Sequence, residues 1–255
     1  MISMSGRTAI VFGVANKRSI AWAIAQKLQQ AGAKLVITYQ NERLAEEAAD
    51  LISSLPDAEA MQCDVSSDLE ITKLFDILKD RYGKLHTIVH SVAFAPAEDL
   101  KGDFVNTTRT GFLVAHDISV YSLVAITRCA LPLMTEGGSI MTMTYHGAER
   151  VVPKYNLMGV AKAALEASVR YLAYDVGKHN VRVNAISAGP IKTLAARGIS
   201  GLSEMLKMHA ERAPLKRNVD VNEVGDTALY LASDLSTAIT GEVIYVDCGY
   251  NIMGF

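Results

Sequence analysis

Thr8-Ala-Ile-Val-Phe-Gly-Val-Ala-Asn-Lys-Arg-Ser-Ile-Ala21 is the stretch on which the fold turns. Its first five residues are a short apolar run closed by Gly13, the pattern of a buried strand. From Ile20 the spacing changes. Ile20, Ala23, Ile24, Leu28 and Ala31 recur at helical period until Gly32 supplies the stop. A strand that hands over at once to a helix, with a glycine and a capping serine at the joint, opens a βαβ unit.

The same alternation runs outward along the chain. Further strands are predicted at residues 35–39, around 61–63, and at 87–92, 139–144, 181–186 and 243–246. Helices are predicted at 42–52, at 67–82 behind the capping-box pattern Ser67-x-x-Glu70, at 107–130, from Pro153 to Gly177, and at 222–232. Parallel neighbours need crossover helices, and strands such as TIVHSV and VRVNAI are apolar throughout, as burial on both faces requires. The expectation is an α/β fold: one Rossmann-type doubly wound parallel sheet of about seven strands, helices on both faces, as a single domain over 1–255. One segment breaks the rhythm. Residues 191–221 are too long for an ordinary connection, and 191–214 read as a substrate lid. Gly198 and Gly201 give it permissive backbone, and Leu202, Met205, Leu206 and His209 form an apolar stripe on a helix at 202–211.

Composition narrows the function classes. Half of the 255 residues are hydrophobic and 20% are charged, so a disordered chain is excluded. Lys and Arg number 25 against 27 Asp and Glu, a balance that offers no broad attraction for nucleic acid or an anionic membrane. Three scattered cysteines, Cys63, Cys129 and Cys248, without a CxxC, argue against a disulfide framework or a zinc site and favour a reducing compartment. No uninterrupted apolar run approaches the ~18–20 residues of a membrane helix, and the first seven residues lack a signal-peptide layout. A cytoplasmic enzyme is expected.

In open α/β sheets ligands bind beyond the carboxyl ends of the strands. At the first such end only Gly13 is glycine, so GxGxxG is absent. Gly13 can still turn the chain while Ser19 caps the helix, whose free N–H groups suit a pyrophosphate; an ordinary capped turn is the plain alternative. The second strand ends at Gln40-Asn41, which can bond ribose hydroxyls but cannot neutralise a 2′-phosphate; Arg43 lies close by. Asp64-Val65 follows the third strand and could bracket an adenine ring or simply make a turn. Tyr155 and Lys162 are seven residues apart, nearly two helical turns, so both are expected on one face. There the ammonium would stabilise a phenolate and ease proton donation, and Tyr145 could add a second phenol. Tyr174-x3-Lys178 has the spacing of ordinary short-chain dehydrogenases but lies ~28 Å further along the helix, across Gly177, and reads as accidental. His86 and His90, four apart in a strand, would not converge on a metal, and none is expected.

Gly13-(x5)-Ser19-Ile20-Ala21, Gln40, Asp64-Val65, the run from His90 to Ala95, Tyr145, Tyr155-(x6)-Lys162 and the run from Ala185 to Thr193 together resemble the bacterial enoyl-acyl-carrier-protein reductases, a divergent short-chain dehydrogenase/reductase family. The resemblance spans nearly the whole chain, and the Tyr-(x6)-Lys spacing is its specific part. It implies reduction of trans-2-enoyl thioesters by NADH, with Tyr155 donating to the thioester oxygen and Lys162 holding the nicotinamide ribose. It implies a cofactor site of Gly13, Ser19, Ile20, Gln40, Asp64, Val65, Ser91, Val92, Lys162, Ile191, Thr193 and Ala195. The acyl chain would meet Ala95, Tyr145, Tyr155 and Met158. Acyl carrier protein is the implied partner and a homotetramer the implied assembly, for which Gly159, Ala163, Ala164 and Ala167 would allow close helix contact. One departure stands out: no basic residue lies between Arg197 and Lys207, where an acidic carrier would be expected to dock. Two rivals are weaker. A short-chain carbonyl reductase would carry Tyr where Met158 stands, and a non-catalytic dinucleotide sensor has no need of Tyr155 and Lys162 in register.

Overall fold

Seven strands, β1 (Thr8–Phe12), β2 (Lys34–Tyr39), β3 (Ala58–Gln62), β4 (Thr87–His90), β5 (Gly138–Thr144), β6 (Val181–Ala188) and β7 (Val243–Val246), make one sheet. They are seen in a computed structural model that describes residues 2–193 and 201–254. The order is β3-β2-β1-β4-β5-β6-β7 and every neighbouring pair is parallel. All carboxyl ends therefore share one edge. The order reverses between β1 and β4, which opens the crevice where doubly wound sheets bind ligands.

Helices α1 (Ile20–Gln30), α2 (Ala45–Ile52), α3 (Asp68–Tyr82), α4 (Arg109–His116), α5 (Ser122–Ala130), α6 (Asn156–Gly177), α7 (Leu202–Arg212) and α8 (Val221–Ala232) complete the described framework. Alternate residues of β1 point to opposite faces and so enter different cores. Ile10 and Phe12 pack with Leu74 and Leu78 of α3, Ile126 of α5 and Leu165 and Val169 of α6. Ala9 and Val11 pack with Trp22 and Ile24 of α1, Leu51 of α2 and Val224 and Leu231 of α8. Each such side chain, fully buried, contributes roughly 1.5–3 kcal/mol, which is how period-two patterning in β1 fixes the three-layer arrangement.

The structure departs from the sequence expectations at four joints. The helix expected over 107–130 is interrupted by a π-helical turn at Asp117–Tyr121. The long helix begins at Asn156 and leaves Pro153 in the preceding turn, where Lys154 (φ 69°) and Asn156 (φ 40°) have left-handed backbone. At α3 only half of the capping box forms. Ser67 accepts from Glu70 N, but the Glu70 carboxylate turns back to Asp64 N at 2.8 Å. The reciprocal box is at α8, between Asp220 and Glu223. The strand expected at 87–92 stops at His90, so Ser91 and Val92 belong to the exit loop. Taken as one continuous run, Arg109–Leu133 is long and apolar enough to span a membrane by length and composition. Half of that window is buried in the protein itself, where α5 packs on α3 and α6.

Candidate active site

The turn between β1 and α1 is held open by geometry that only glycine allows. Gly13 has φ +91°, and a Cβ there would lie 2.1 Å from the Ser91 carbonyl oxygen across the crevice. Ser19 caps α1, accepting from Trp22 N at 3.3 Å while its hydroxyl donates to the Asn16 carbonyl at 2.7 Å. The N–H groups of Ile20 and Ala21 precede the first intrahelical bonds and remain for a ligand. This turn and the start of the expected lid line a cavity of about 370 Å³ that includes Lys17, Arg18, Lys192 and Thr193, with Glu47 and Asp50 also on its wall. Lys17 and Arg18 just ahead of the α1 N-terminus, with Lys192 across the cavity, outnumber the two carboxylates, a balance that suits a pyrophosphate.

The adenosine end is equally defined. Gln40 donates to Asp64 Oδ2 at 3.0 Å, and Asp64 Oδ1 accepts from Ser66 N and Oγ at 2.9 and 2.7 Å. Burial works against the Asp64 charge, but the Ser66 and Gln40 bonds outweigh it and hold the carboxyl below its ordinary range. Asn41 Oδ1 is buried without a hydrogen-bond partner among the described residues, which a ribose hydroxyl would supply. These residues fit a dinucleotide of the NAD type. Val65, Ser91, Val92, Ile191 and Thr193 are half-buried around the same edge, and Ala195 lies outside the described residues.

At the other end of the edge, Tyr145 follows β5 directly and Tyr155 caps α6. Their rings meet edge-on, with centroids 5.0 Å apart and planes at 72°. The Tyr155 ring lies so close to Gly147 that a Cβ there would stand 2.6 Å from its Cδ1. Gly159 faces the Gly147 carbonyl and the same ring, so it serves Tyr155 within its own chain. Lys162 is buried and donates to the Met143 carbonyl at 2.7 Å. Met158 is buried, its N–H donating to the Tyr155 carbonyl, and Ala95 is half-buried in the loop after β4. Tyr174 is exposed and Lys178 caps the far end of α6, as their distance along the helix predicts.

The electrostatics correct one expectation. Because Tyr155 lies ahead of the helix, its seven-residue spacing from Lys162 does not measure helical turns. Burial, and then the Tyr145 phenol, push the Tyr155 phenol upward; the Lys162 ammonium is not among its causes. Tyr155 therefore keeps its proton, and among the described residues nothing hydrogen-bonds its hydroxyl, so it stands ready as a neutral donor. Burial also pushes Tyr145 up to about 12, and its hydroxyl donates to Met205 Sδ of α7 at 3.3 Å. Lys162 is pushed down to about 8 by burial, with Glu166 opposing.

Other residues at this edge carry little sequence signal. His90 is wholly buried, its ring nitrogens 2.9 Å from Thr142 Oγ1 and 2.7 Å from Ser122 Oγ. Burial, reinforced by Lys162, pushes it down to about 3, so it is neutral. Ser119, in the π-helical turn, bonds both the N–H and the carbonyl of Phe94 at 3.0 and 3.1 Å. It thereby ties down the loop that carries Ser91, Val92 and Ala95. Among the described residues no group of three or more His, Cys, Asp or Glu is placed to hold a metal.

A doubly wound sheet with a capped glycine turn after β1, the polar Gln40 and Asn41 after β2 and a buried tyrosine and lysine at the opposite end has the form of a dinucleotide-dependent oxidoreductase of the short-chain dehydrogenase type. The comparisons narrow the class. The family model described as Enoyl-(Acyl carrier protein) reductase matches residues 13–251. An NADH-type enoyl-acyl-carrier-protein reductase of Bacillus subtilis is 54% identical over 252 residues, covering 98% of each chain. An NADPH-type enzyme of Staphylococcus aureus is 53% identical, covering 98% of this chain and 99% of its own. The crystal structure of the Bacillus cereus enoyl-acyl carrier protein reductase with NADP+ and indole naphthyridinone superposes with a TM-score of 0.98 at 52% identity, over 100% of both chains. This chain belongs to the enoyl-acyl-carrier-protein reductase family.

Proposed function

We propose that the protein reduces the carbon–carbon double bond of trans-2-enoyl-acyl-carrier-protein thioesters with NADH, the last step of each fatty-acid elongation cycle, in the cytoplasm. The observation that carries this reading is Tyr155: a buried neutral phenol, unpartnered among the described residues, held edge-on by Tyr145 at the N-terminus of the helix that also carries the buried Lys162. NADH, when bound, supplies the hydride. Tyr155 donates to the thioester oxygen, where negative charge gathers in the transition state. Tyr145 holds the Tyr155 ring and, with Met158 and Ala95, borders the acyl chain. Lys162 holds the nicotinamide ribose; Gly13, Ser19 and Ile20 receive the pyrophosphate with Thr193. Gln40 and Asp64 hold the adenosine ribose, with Val65 against the base and Ser91 and Val92 near the nicotinamide. The chain acts as one catalytic domain over 1–255, and the segment at about 191–214 is its lid.

The cofactor preference follows from charge. The Gln40–Asp64 pair places an anion and an amide at the ribose, and a 2′-phosphate seeks Arg or Lys. Arg43 is exposed on the turn beyond β2. Crotonyl-CoA reduction followed by nicotinamide absorbance tests both points. The expected result is turnover with higher kcat/KM for NADH than for NADPH, and no NADH consumption with a ketone in place of the enoyl thioester. No turnover of the enoyl thioester would remove the functional reading, and equal or better use of NADPH would remove the cofactor preference.

A further inference from the structure

The end of β5 meets the helix that carries the site at three successive residues. The Met143 carbonyl accepts from Lys162 Nζ at 2.7 Å, the Thr144 hydroxyl donates to Glu166 Oε1 at 2.6 Å, and the Tyr145 ring abuts Tyr155. The first and third of these serve residues already placed in the site. The second serves a glutamate that the mechanism does not use. Glu166 is nonetheless buried to 7% exposure, and a buried carboxylate is costly unless something compensates its charge.

Its position explains the compensation. Glu166 follows Lys162 by one helical turn, on the same buried face of α6. Lys162 is itself buried to 6% and donates to a neutral carbonyl, so its nearest full negative charge on α6 is this carboxylate. We propose that Glu166 is a positioning residue: held by Thr144, it is the fixed counter-charge that keeps Lys162 an ammonium inside the closed site. The proposal rests on the reading of Lys162 as the ribose-holding residue.

The surroundings are consistent element by element. On the β4 side of Lys162, His90 is neutral and adds no second positive charge. Around Glu166, burial and then Glu149 hold its carboxyl above the ordinary range, with the Thr144 bond, Arg170 and Lys162 only partly opposing them. Tyr245 of β7 feels the Glu166 charge as well, but its hydroxyl is committed to Glu149 Oε1 at 2.6 Å. Glu166 therefore has one hydroxyl holding it and two cations facing it, Lys162 towards the site and Arg170 towards the surface. Tyr145, pushed up to about 12, does not titrate in the range where Lys162 does, so a change near pH 8 reports the lysine.

The test is the pH dependence of NADH affinity, measured by titration calorimetry on the folded enzyme and its variants. In the unaltered enzyme, affinity should hold at neutral pH and weaken as Lys162 loses its proton. Lys162→Met should bind weakly and lose that alkaline limb. Glu166→Gln should keep the limb but move its midpoint down by roughly one pH unit, as loss of one close opposite charge implies. Glu166→Asp should return most of the shift. Thr144→Val, which keeps the carboxylate but removes its holding bond, should move the midpoint the same way by less, and stands in if Glu166→Gln does not fold. An alkaline limb that persists in Lys162→Met would overturn the underlying reading of the lysine. A limb that vanishes there but is unmoved in Glu166→Gln or Thr144→Val would overturn the role of Glu166 alone.

Discussion

At the scale of single residues, Tyr155 and Lys162 divide the work, and substitutions should separate them. Tyr155→Phe keeps the ring against Tyr145 and loses only the hydroxyl. The expected result is a fall in kcat of roughly 10²–10³-fold, the usual cost of one oxyanion donor, with NADH affinity little changed. Lys162→Ala should weaken NADH binding as well as turnover, and Tyr174→Phe, far along α6, should alter neither. Steady-state kinetics with cofactor titration checks all three; normal NADH binding in Lys162→Ala would displace the proposed site from this helix. Lys162 also links pH to stability, with a sign opposite to its effect on binding. Its folded value of about 8 lies below its ordinary 10.5, so between those limits the unfolded chain binds more protons. Stability then rises with pH through that window. The apo enzyme should gain thermal stability from pH 8 to 10 relative to Lys162→Met, while its NADH affinity falls. Parallel melting curves of the two proteins over that range decide the point.

At the scale of elements, the sequence was most legible where packing repeats a period. β1 and β2 read as near-continuous apolar runs because both faces are buried, and α1 follows helical spacing because it presents one regular face to a core. Legibility failed where one residue changes phase. A π-helical turn at Asp117–Tyr121 has the same composition as the α-helix around it, yet it brings Ser119 and Ser122 to the exit of β4. The left-handed Asn156 stands between Tyr155 and the helical residues that follow, so the seven-residue spacing to Lys162 is not a plain count of helical turns. Glu70 shows why a capping pattern alone is ambiguous: an unbonded N–H at Asp64 competed for its carboxylate. In the candidate site, Gly13, Ser19, Gln40, Asn41 and Asp64 are legible as strand-end chemistry, whereas the buried role of His90 draws its meaning from Ser122 and Thr142, distant in sequence. The lid falls between these cases. Its stripe is real in α7, where Leu206 and His209 are buried and Leu202 and Met205 half-buried. Gly198 lies outside the described residues. Among the described residues α7 is tied to its surroundings by Tyr145 on Met205, by His209 on Asn218 and the Tyr250 ring, and by Lys216 on the Glu211 carbonyl. Amides of 202–212 should therefore exchange faster in the apo enzyme and slow on adding NADH with an enoyl analogue. Slow exchange unchanged by ligands would make the segment a fixed wall.

At the scale of the whole molecule, α6 has two working faces. One buries Lys162, Glu166 and Leu165 under the site. The other carries Val160, Ala164, Ala167, Tyr171 and Tyr174 at heptad-like spacing, with Tyr171 and Tyr174 exposed at 77% and 86%. Leu113 of α4 and Tyr121 of the π-helical turn add apolar surface on the helices beside it. A contiguous stripe of this kind on a chain of net charge −2 has little electrostatic repulsion to keep copies apart. We propose that this face is where subunits of a homotetramer meet, with the alanines at 164 and 167 allowing close approach while Gly159 is occupied by its own Tyr155 ring. Association there would brace α6 from behind and so steady the residues on its other face. Placing like charges in the stripe, as in the double substitution Tyr171→Glu and Tyr174→Glu, should dissociate the assembly and weaken NADH binding several-fold, whereas Leu235→Glu, on an exposed residue after α8, should do neither. Light scattering coupled to gel filtration reads the first effect and cofactor titration the second. If the doubly substituted protein kept the mass of the unaltered one, the stripe would not be the interface; if it dissociated but bound NADH normally, α6 would need no bracing to hold its site.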